Sequence, residues 1–188
     1  MLRITGGAFG GRKLVAPEDM HVRPTSDKVR QAIFNILQNA EFAVPLENAR
    51  VADLFAGTGA LGLEALSHGA KFCLFVEDAA ESRALIHRNI EALGLTGATK
   101  IWRRDATHLG AMTPASGGPF DLVFLDPPYR KNLVRPALDS LHRGRWLAPG
   151  AALVAETAEG ETVAADSYEV MDMRVYGETR VTFLKSNG

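Results

Sequence analysis

The stretch of residues 50–66 constrains the fold more than any other, because it joins a short apolar strand, a glycine-rich turn and a helix. The strand is predicted over residues 50–55 and the helix over residues 60–66. Between them, Gly57 and Gly59 let the backbone pass close to a bound nucleoside, and the start of the helix favours an anionic group. The sequence therefore predicts a βαβ unit with a ligand site at its turn.

Strand and helix patterns alternate along the rest of the chain. Further strands are predicted over residues 72–76, 99–103, 120–125, 151–156, 168–175 and 180–184, and further helices over residues 79–93 and 133–141. This regular order predicts an α/β fold: a doubly wound, mostly parallel seven-stranded sheet with right-handed crossovers and an antiparallel final strand. Such sheets bind their ligands at the carboxyl ends of the strands.

Two elements precede this core. Residues 1–17 alternate weakly around two pairs of glycines, which predicts an N-terminal β-hairpin. Residues 25–40 begin with hydroxyl and acidic side chains and carry apolar residues at helical spacing, which predicts a leading helix. Together with a core over residues 50–188 they should form a single domain, because 188 residues supply one well-packed α/β core and no second large one.

Composition narrows the class of protein. A hydrophobic share of 46% and a charged share of 23% are those of a globular chain rather than a disordered one. No apolar run reaches the length of a membrane span and the first residues do not form a signal peptide, so we expect a cytoplasmic protein without a membrane partner. The one cysteine, Cys73, and the five histidines show no metal-ligand spacing, so no metal site is expected.

Charge is unevenly distributed although the net charge is only −1. Residues 1–31 hold six basic and three acidic side chains, whereas the rest of the chain holds 15 basic and 19 acidic ones. A basic amino-terminal segment on a mildly acidic body predicts a phosphate-bearing partner at one end of the molecule. A solvated surface explains the same charges equally well.

A proline-rich corner follows the predicted strand at residues 120–125. Asp126 precedes Pro127 and Pro128, which cannot donate to a β-ladder and which hold the backbone extended. The corner therefore offers acceptors, and the Asp126 carboxylate and a proline carbonyl suit the NH2 group of a flat ring on which Tyr129 stacks. Acceptors for both amine hydrogens free the nitrogen lone pair for attack on an electrophile and stabilise the developing positive charge. The alternative is a strand that simply ends at prolines.

Acidic residues end four of the predicted parallel strands, and they should meet at one edge of the sheet. These residues are Asp53, Glu77, Asp105 and Asp126. Glu77 lies 20 residues after Gly57, where a carboxylate at a strand end can bind both ribose hydroxyls. Asp105 and Ala106 are well placed to meet an adenine edge. Four acids at four strand ends are hard to explain as solvated surface.

The glycine turn is compatible with two cofactors. Gly57, Gly59 and Gly62 satisfy the G-x-G-x-x-G fingerprint of dinucleotide-binding enzymes, so a nicotinamide enzyme is the first rival. Asp53 and Phe55 extend the pattern to D-x-F-x-G-x-G, which is used to hold the methionine part of S-adenosylmethionine. The chain is also short for a dinucleotide domain plus a substrate domain, and a methyl donor explains the amine site at the corner. These features favour methyl transfer over hydride transfer.

Several blocks of the sequence resemble those of amino-group methyltransferases, whose signature is D/N-P-P-Y/F/W. More narrowly, the chain resembles the bacterial small-subunit (16S) ribosomal RNA guanine-N2 methyltransferase family. Many methyltransferases share the 53–67 and 126–129 blocks, so the specific part is the block at residues 3–35. It comprises Arg3-Ile-x-Gly-Gly7, Gly11-Arg-Lys-Leu14, Arg23-Pro-Thr25, Asp27-Lys-Val-Arg30 and Phe34-Asn35.

The resemblance implies a Rossmann-like class I methyltransferase that transfers a methyl group from S-adenosylmethionine to N2 of guanine 966 in 16S rRNA of the 30S subunit. The residues that would act on the amine are Asp126, Pro127, Pro128 and Tyr129. The cofactor pocket would comprise Asp53, Phe55, Gly57, Thr58, Gly59, Glu77, Asp105 and Ala106, with Thr25, Arg30 and Asn35 near the methionine end. The RNA contacts would be Arg3, Arg12, Lys13, Arg23, Arg30 and Arg130. We expect the protein to be a monomer.

Three alternatives stay open. The substrate could be adenine or cytosine in DNA, because the corner suits any exocyclic amine. It could be a free small molecule or the amide of a protein glutamine, which the basic amino-terminal segment disfavours. The protein could also be a non-catalytic RNA-binding module, which the acids at all four strand ends disfavour.

Overall fold

The computed structural model describes residues 1–18, 25–161, 163 and 165–188. Arg23, one of the predicted RNA contacts, lies outside the described residues. The same holds for Pro24, which belongs to the Arg23-Pro-Thr25 block.

In the part of the chain that the structure describes, seven strands form one sheet. They are β1 (Arg50–Leu54), β2 (Phe72–Val76), β3 (Thr99–Trp102), β4 (Phe120–Leu125), β5 (Leu147–Ala158), β6 (Tyr168–Tyr176) and β7 (Thr179–Ser186). The order in the sheet is β3-β2-β1-β4-β5-β7-β6. The five strands from β3 to β5 are parallel, and β7 is antiparallel to both β5 and β6. The predicted mostly parallel, seven-stranded α/β sheet is confirmed.

Four α-helices pack against this sheet. They are α1 (Asp27–Asn39), α2 (Ala60–Ser67), α3 (Ala80–Leu93) and α4 (Val134–Arg143). The first three helices share one apolar core with the amino-terminal segment, and α4 packs in a second core on the opposite face. The arrangement has the three layers of a doubly wound protein. None of the helices in the described ranges is long and apolar enough to cross a membrane.

Local sequence explains where the helices begin and end. α1 starts at Asp27 because the hydroxyl of Ser26 accepts a hydrogen bond from Val29 N, and the acidic first residue suits the positive end of the helix dipole. α3 ends at Gly94, whose φ of 68° is a conformation that glycine adopts without strain.

The amino-terminal segment follows the path of a hairpin but forms little ladder. Its one bridge joins Arg3 to Lys13, supported by a hydrogen bond from Leu14 N to Leu2 O of 2.9 Å. The turn packs on the end of α2, where Ala8 N donates to Ser67 O over 2.8 Å. The segment is therefore held both by a few cross-strand hydrogen bonds and by contacts with α2.

Two parts of the chain differ from the predicted bounds. β5 begins four residues earlier than predicted, at Leu147, and it continues to Ala158 because β7 pairs with it as far as that residue. The connection from β3 to β4 has no α-helix and contains only a 3-10 turn at Pro114–Ser116. The longer β5 leaves Glu156 inside the sheet instead of at the end of a strand.

Candidate active site

The sheet order reverses between β1 and β4, which are neighbours in space although β2 and β3 lie between them in sequence. Ligands of doubly wound sheets bind at this switch point, at the carboxyl ends of the strands. Glu77 directly follows β2 and Asp126 directly follows β4, while Asp53 is the second-last residue of β1. Asp105 comes three residues after β3. The four acids predicted to share one edge of the sheet therefore do so.

The glycine turn after β1 has an unusual backbone. Gly57 and Gly59 have φ angles of 58° and 80°, and Phe55, two residues before Gly57, also has a positive φ of 58°. A bulky residue in the left-handed region costs roughly 1 kcal/mol or more and is found mainly at functional sites. A Cβ placed on Gly57 would meet no atom closer than Phe55 O at 3.9 Å. The open space above Gly57 fits a ligand that approaches the backbone directly.

Three polar side chains hold this turn in place. Asp53 Oδ2 accepts from Gly62 N over 2.9 Å in the first turn of α2. Glu77 Oε2 accepts from Gly57 N over 2.8 Å. Asn89 Nδ2 donates to Thr58 O over 3.0 Å from the side of α3. The turn is thus fixed by the protein itself, and the role of Asp53 in the cofactor pocket stays a prediction.

Gly62 explains the third glycine of the motif. A Cβ at this position would lie 2.6 Å from Cys73 Sγ and 2.5 Å from the Phe75 ring, both on β2. Only a residue without a side chain lets α2 pack this closely on the sheet. This glycine serves helix packing and not ligand contact.

The two acids predicted to bind the nucleoside also make hydrogen bonds within the chain. The second oxygen of Glu77, Oε1, accepts from Ala79 N over 3.0 Å, so the carboxylate bridges the glycine turn and the start of α3. Asp105 accepts from Thr107 N over 2.8 Å and from Thr107 Oγ1 over 2.7 Å. These bonds lower the pKa of the exposed Asp105. Their contacts with ribose and adenine stay predictions.

The corner after β4 places a carboxylate beside a half-exposed aromatic ring. Asp126 directly precedes the buried Pro127, and the Tyr129 ring has 40% of its surface exposed. The Tyr129 hydroxyl forms a hydrogen bond of 2.8 Å with Thr179 Oγ1 at the start of β7. Burial raises the pKa of Tyr129 to about 12, although the bond with Thr179 lowers it. The ring is therefore anchored at its tip and keeps an accessible surface for stacking.

A carboxylate that the sequence analysis did not assign lies next to Asp126. Glu156 on β5 follows Ala155, which pairs in register with Leu125, so it stands beside Asp126 at the neighbouring strand. Thr25 Oγ1 lies 2.9 Å from Asp126 Oδ2 and 2.9 Å from both carboxylate oxygens of Glu156. Thr25 was predicted near the methionine end of the cofactor, and the structure joins it to the acids of the corner.

Burial sets the protonation behaviour of these acids. It raises the pKa of Asp126 from 3.8 to about 6, while the hydrogen bond with Thr25 acts in the opposite direction. Burial and the neighbouring Asp126 also raise the pKa of Glu156, and Thr25 and Arg30 lower it. The pKa of the buried Asp53 is raised by burial as well, against the hydrogen bond from Gly62.

Arg30 was predicted to contact RNA, and the structure corrects that prediction. Its guanidinium is fully buried, 2.7 Å from Asp27 Oδ1 and 3.4 Å from Glu64 Oε2. Arg30 Nη1 also donates to the main-chain oxygen of Thr25 over 3.2 Å. A side chain without exposed surface cannot contact RNA. Arg30 therefore affects the site indirectly, through its hydrogen bond to the main-chain oxygen of Thr25.

The other predicted RNA contacts that the structure describes all lie on the surface. Arg3, Arg12, Lys13 and Arg130 are exposed, and Arg12 Nη2 donates to Ala92 O over 2.8 Å near the end of α3. Since α3 starts at the carboxyl edge of the sheet and Ala92 is its thirteenth residue, this bond lies about 18 Å along the helix from that edge. Asn35, predicted in the cofactor pocket, is exposed on α1. The RNA contacts and Asn35 stay predictions.

Comparison with known proteins agrees with this geometry. Residues 2–185 match the family described as "Conserved hypothetical protein 95". The chain belongs to that family. It is 38% identical over 157 residues to Ribosomal RNA small subunit methyltransferase D of Escherichia coli, which covers 83% of this chain and 74% of the relative. It is 34% identical over 190 residues to YlbH of Bacillus subtilis, with 100% of both chains covered.

A solved structure titled as a putative methyltransferase has the same architecture. The structure of the Escherichia coli protein yhhF superposes with a TM-score of 0.82 at 28% identity, over 98% of this chain and 97% of that one. Family membership and fold make the protein a methyltransferase with the Rossmann-like class I architecture. The glycine turn and the strand-end acids remain the predicted site for S-adenosylmethionine.

Proposed function

We propose that the protein transfers a methyl group from S-adenosylmethionine to the exocyclic N2 amine of a guanine in 16S rRNA. The observation that carries the proposal is the position of Asp126 and Tyr129 at the switch point, beside the glycine turn. The Escherichia coli relative, named for methylation of small-subunit rRNA, supports the substrate class. The specific block at residues 3–35, quoted above, supports guanine 966 as the target.

The corner would make a reluctant nucleophile reactive. The N2 lone pair of guanine is conjugated with the ring, so the free amine attacks poorly. Asp126 and the Pro127 carbonyl accept hydrogen bonds from its two N–H groups and stabilise the positive charge that develops on nitrogen. Tyr129 stacks on the base, held at its hydroxyl by Thr179. S-adenosylmethionine would supply the electrophilic methyl group: the N–C bond forms as the methyl–sulfur bond breaks, and S-adenosylhomocysteine leaves. The amine then loses its proton to solvent, so no strong base is required.

The protein contributes mainly orientation. Glu77 and Asp105 would hold the ribose and adenine of the cofactor, and the open backbone at Gly57 would admit the nucleoside. The target guanine must leave its stack to reach Asp126, which costs a few kcal/mol and favours a base in a loop over one in a helix. Placing both reactants in one geometry is then the largest part of catalysis.

The substrate form and assembly follow from the same proposal. The target would be a 16S rRNA loop in the 30S particle, contacted by Arg3, Arg12 and Lys13 of the amino-terminal segment and by Arg130 beside the corner. The protein would act as a monomer in the cytoplasm and without a metal ion.

A methyl-transfer assay tests the proposal directly. Purified protein and S-adenosylmethionine with a labelled methyl group are incubated with 30S particles from a strain that lacks the enzyme, and the RNA is digested to nucleosides. We expect the label in N2-methylguanosine. Label in N6-methyladenosine or N4-methylcytidine, or transfer to duplex DNA in parallel reactions, would instead support one of the other amine substrates. No transfer to any nucleic acid would end the proposal.

A further inference from the structure

The hydroxyl of Thr25 lies between two carboxylates, and it can donate its single hydrogen to only one of them. Its oxygen lies 2.9 Å from Asp126 Oδ2 and 2.9 Å from each oxygen of Glu156. A hydroxyl has one hydrogen to give and two lone pairs to accept with. If both acids were ionised, one of them would face the oxygen lone pairs of Thr25 without a hydrogen between them. The arrangement is satisfied when one acid carries a proton and donates it to Thr25.

The surroundings distinguish the two acids. Glu156 lies within β5, is only 1% exposed and has both oxygens directed at Thr25. Asp126 lies at the open corner, and within the described residues no group donates to its second oxygen, Oδ1. Because an ionised group costs more free energy the less water it meets, the proton belongs on Glu156. Asp126 then keeps its charge and accepts from Thr25.

Other charged and titratable groups face this cluster from three elements. Arg30 on α1 carries the nearest positive charge, but its guanidinium already bonds Asp27, Glu64 and the carbonyl of Thr25. On β1, the buried Asp53 lies close enough for its negative charge to oppose ionisation of Glu156, and it is itself opposed by Asp126 and by Glu77 at the end of β2. Tyr129 completes the set at the mouth of the site. The excess of acids makes a neutral Glu156 the favourable state.

We propose that Glu156 is a positioning residue that stays protonated and, through the hydroxyl of Thr25, holds Asp126 as a carboxylate with Oδ1 free for the target amine. The hydrogen bonds run in one direction, from the Glu156 carboxyl to Thr25 Oγ1 and from Thr25 to Asp126 Oδ2. This inference rests on the proposed function, because it assigns a task to Asp126 that only an amine substrate requires. Neither Glu156 nor Thr25 needs to touch the substrate.

Substitutions that keep or remove individual hydrogen-bond donors test the proposed bonds from Glu156 to Thr25 and from Thr25 to Asp126. The Glu156→Gln amide is neutral and can donate to Thr25, so this variant should keep turnover within about threefold of the natural protein. Glu156→Ala and Thr25→Val remove a donor and should lower kcat by on the order of 10- to 100-fold, because a misplaced acceptor loses orientation. Thr25→Ser keeps the hydroxyl and should restore most of that loss. Glu169→Ala, at an exposed acid of β6, is the matched control.

The pH profile of kcat separates this role from a merely structural one. If Glu156 is neutral in the natural protein, Glu156→Gln leaves the acid limb of the profile where it was. If Glu156 is ionised, removal of its charge lowers the pKa of Asp126 and moves the limb to lower pH, which would overturn the assignment. Thr25→Val takes away a donor to the Asp126 carboxylate, so the limb should move to higher pH. An unchanged limb in Thr25→Val would contradict the proposal.

A measurement without substrate distinguishes failure of this inference from failure of the proposed function. Infrared difference spectra at pH 7 detect the C=O band of a protonated carboxyl group. We expect a band that disappears in Glu156→Gln and persists in Asp126→Asn, while any contribution of Asp53 is common to all variants. A band lost in Asp126→Asn but kept in Glu156→Gln would place the proton on Asp126 and reject the inference, whatever nucleic acid the enzyme methylates.

Discussion

Arg30 Nε and Glu64 Oε2 lie 3.4 Å apart in an ion pair whose two side chains are fully buried between α1 and α2. Thr5 N and Oγ1 also donate to Glu64, which ties the amino-terminal segment to the same carboxylate. Burial opposes ionisation, but His68, Thr5 and Arg30 together lower the pKa of Glu64. The stabilisation is therefore present above the ordinary pKa of glutamate and is lost as the pH falls through the lower pKa of the folded state.

Removing Arg30 should destabilise the fold severely. Arg30→Ala leaves Glu64 buried without its cation, which typically costs about 3–5 kcal/mol in the free energy of unfolding. Denaturant titration at pH 7 measures the loss. Arg88→Ala removes an exposed arginine from α3 and should change stability by less than about 0.5 kcal/mol. Equal stability of the two variants would contradict a structural role for Arg30.

Gly62 should tolerate no side chain. A Cβ at Gly62 overlaps Cys73 and Phe75, so Gly62→Ala should cost about 1–3 kcal/mol through displacement of α2 from the sheet. Thermal unfolding checks this. Gly97→Ala is the matched control, because a Cβ at Gly97 meets no atom within 4 Å. If both variants unfold at the same temperature, the close packing of α2 on β2 is not required.

Asp126 should be essential for methylation and costly for stability. We expect Asp126→Ala to abolish transfer while the affinity for S-adenosylmethionine stays nearly unchanged, as measured by calorimetry. In the natural protein, activity should fall as the pH drops below about 6, because the Asp126 carboxylate becomes protonated at its raised pKa. Natural turnover in Asp126→Ala would remove the acceptor role.

The same raised pKa has a consequence for folding. The folded state binds the Asp126 proton more tightly than the unfolded chain, so the cost of burying the charge is present above about pH 6 and disappears below the ordinary value of 3.8. Asp126→Asn should therefore unfold at a higher temperature than the natural protein at pH 7. The difference should vanish on acidification.

Glu77 should matter for the cofactor and not for the amine. Glu77→Ala loses the predicted ribose contact and frees the Gly57 N–H, so the dissociation constant of S-adenosylmethionine should rise about tenfold or more. Calorimetric titration gives the value, and Glu81→Ala on the exposed face of α3 is the control. Unchanged cofactor binding would leave Glu77 with its structural bonds alone.

The amino-terminal cations can be tested through salt. Replacement of Arg12 and Lys13 by Ala should weaken RNA binding and reduce the slope of log K against log salt by up to about 2, roughly one per lost phosphate contact. The bond from Arg12 to Ala92 O predicts a smaller share for Arg12 than for the exposed Lys13. An unchanged slope would move the RNA contact elsewhere, with Arg130 as the next residue to replace.

Local pattern was sufficient for the order of strands and helices but not for the partners of the charged residues. Arg30 looked like a surface cation because it lies on a helix with polar neighbours, and its partner Glu64 is 34 residues away. Glu156 directly follows the apolar residues 151–155. The argument that identified acids at the ends of four strands could therefore have identified Glu156 as well. Its link to Thr25 spans 131 residues and depends on how α1 packs on the sheet.

The side chain of Asn89 links the amino-terminal segment to the glycine turn through hydrogen bonds to both. Its amide oxygen accepts from Val15 N over 2.6 Å, and its amide nitrogen donates to both Val15 O and Thr58 O. Removal of the first 18 residues would take away the Val15 partner of this amide and so loosen the glycine turn, where the methyl donor is predicted to bind. The amino-terminal segment, which is predicted to bind RNA, therefore also stabilises the turn at which the methyl donor is predicted to bind.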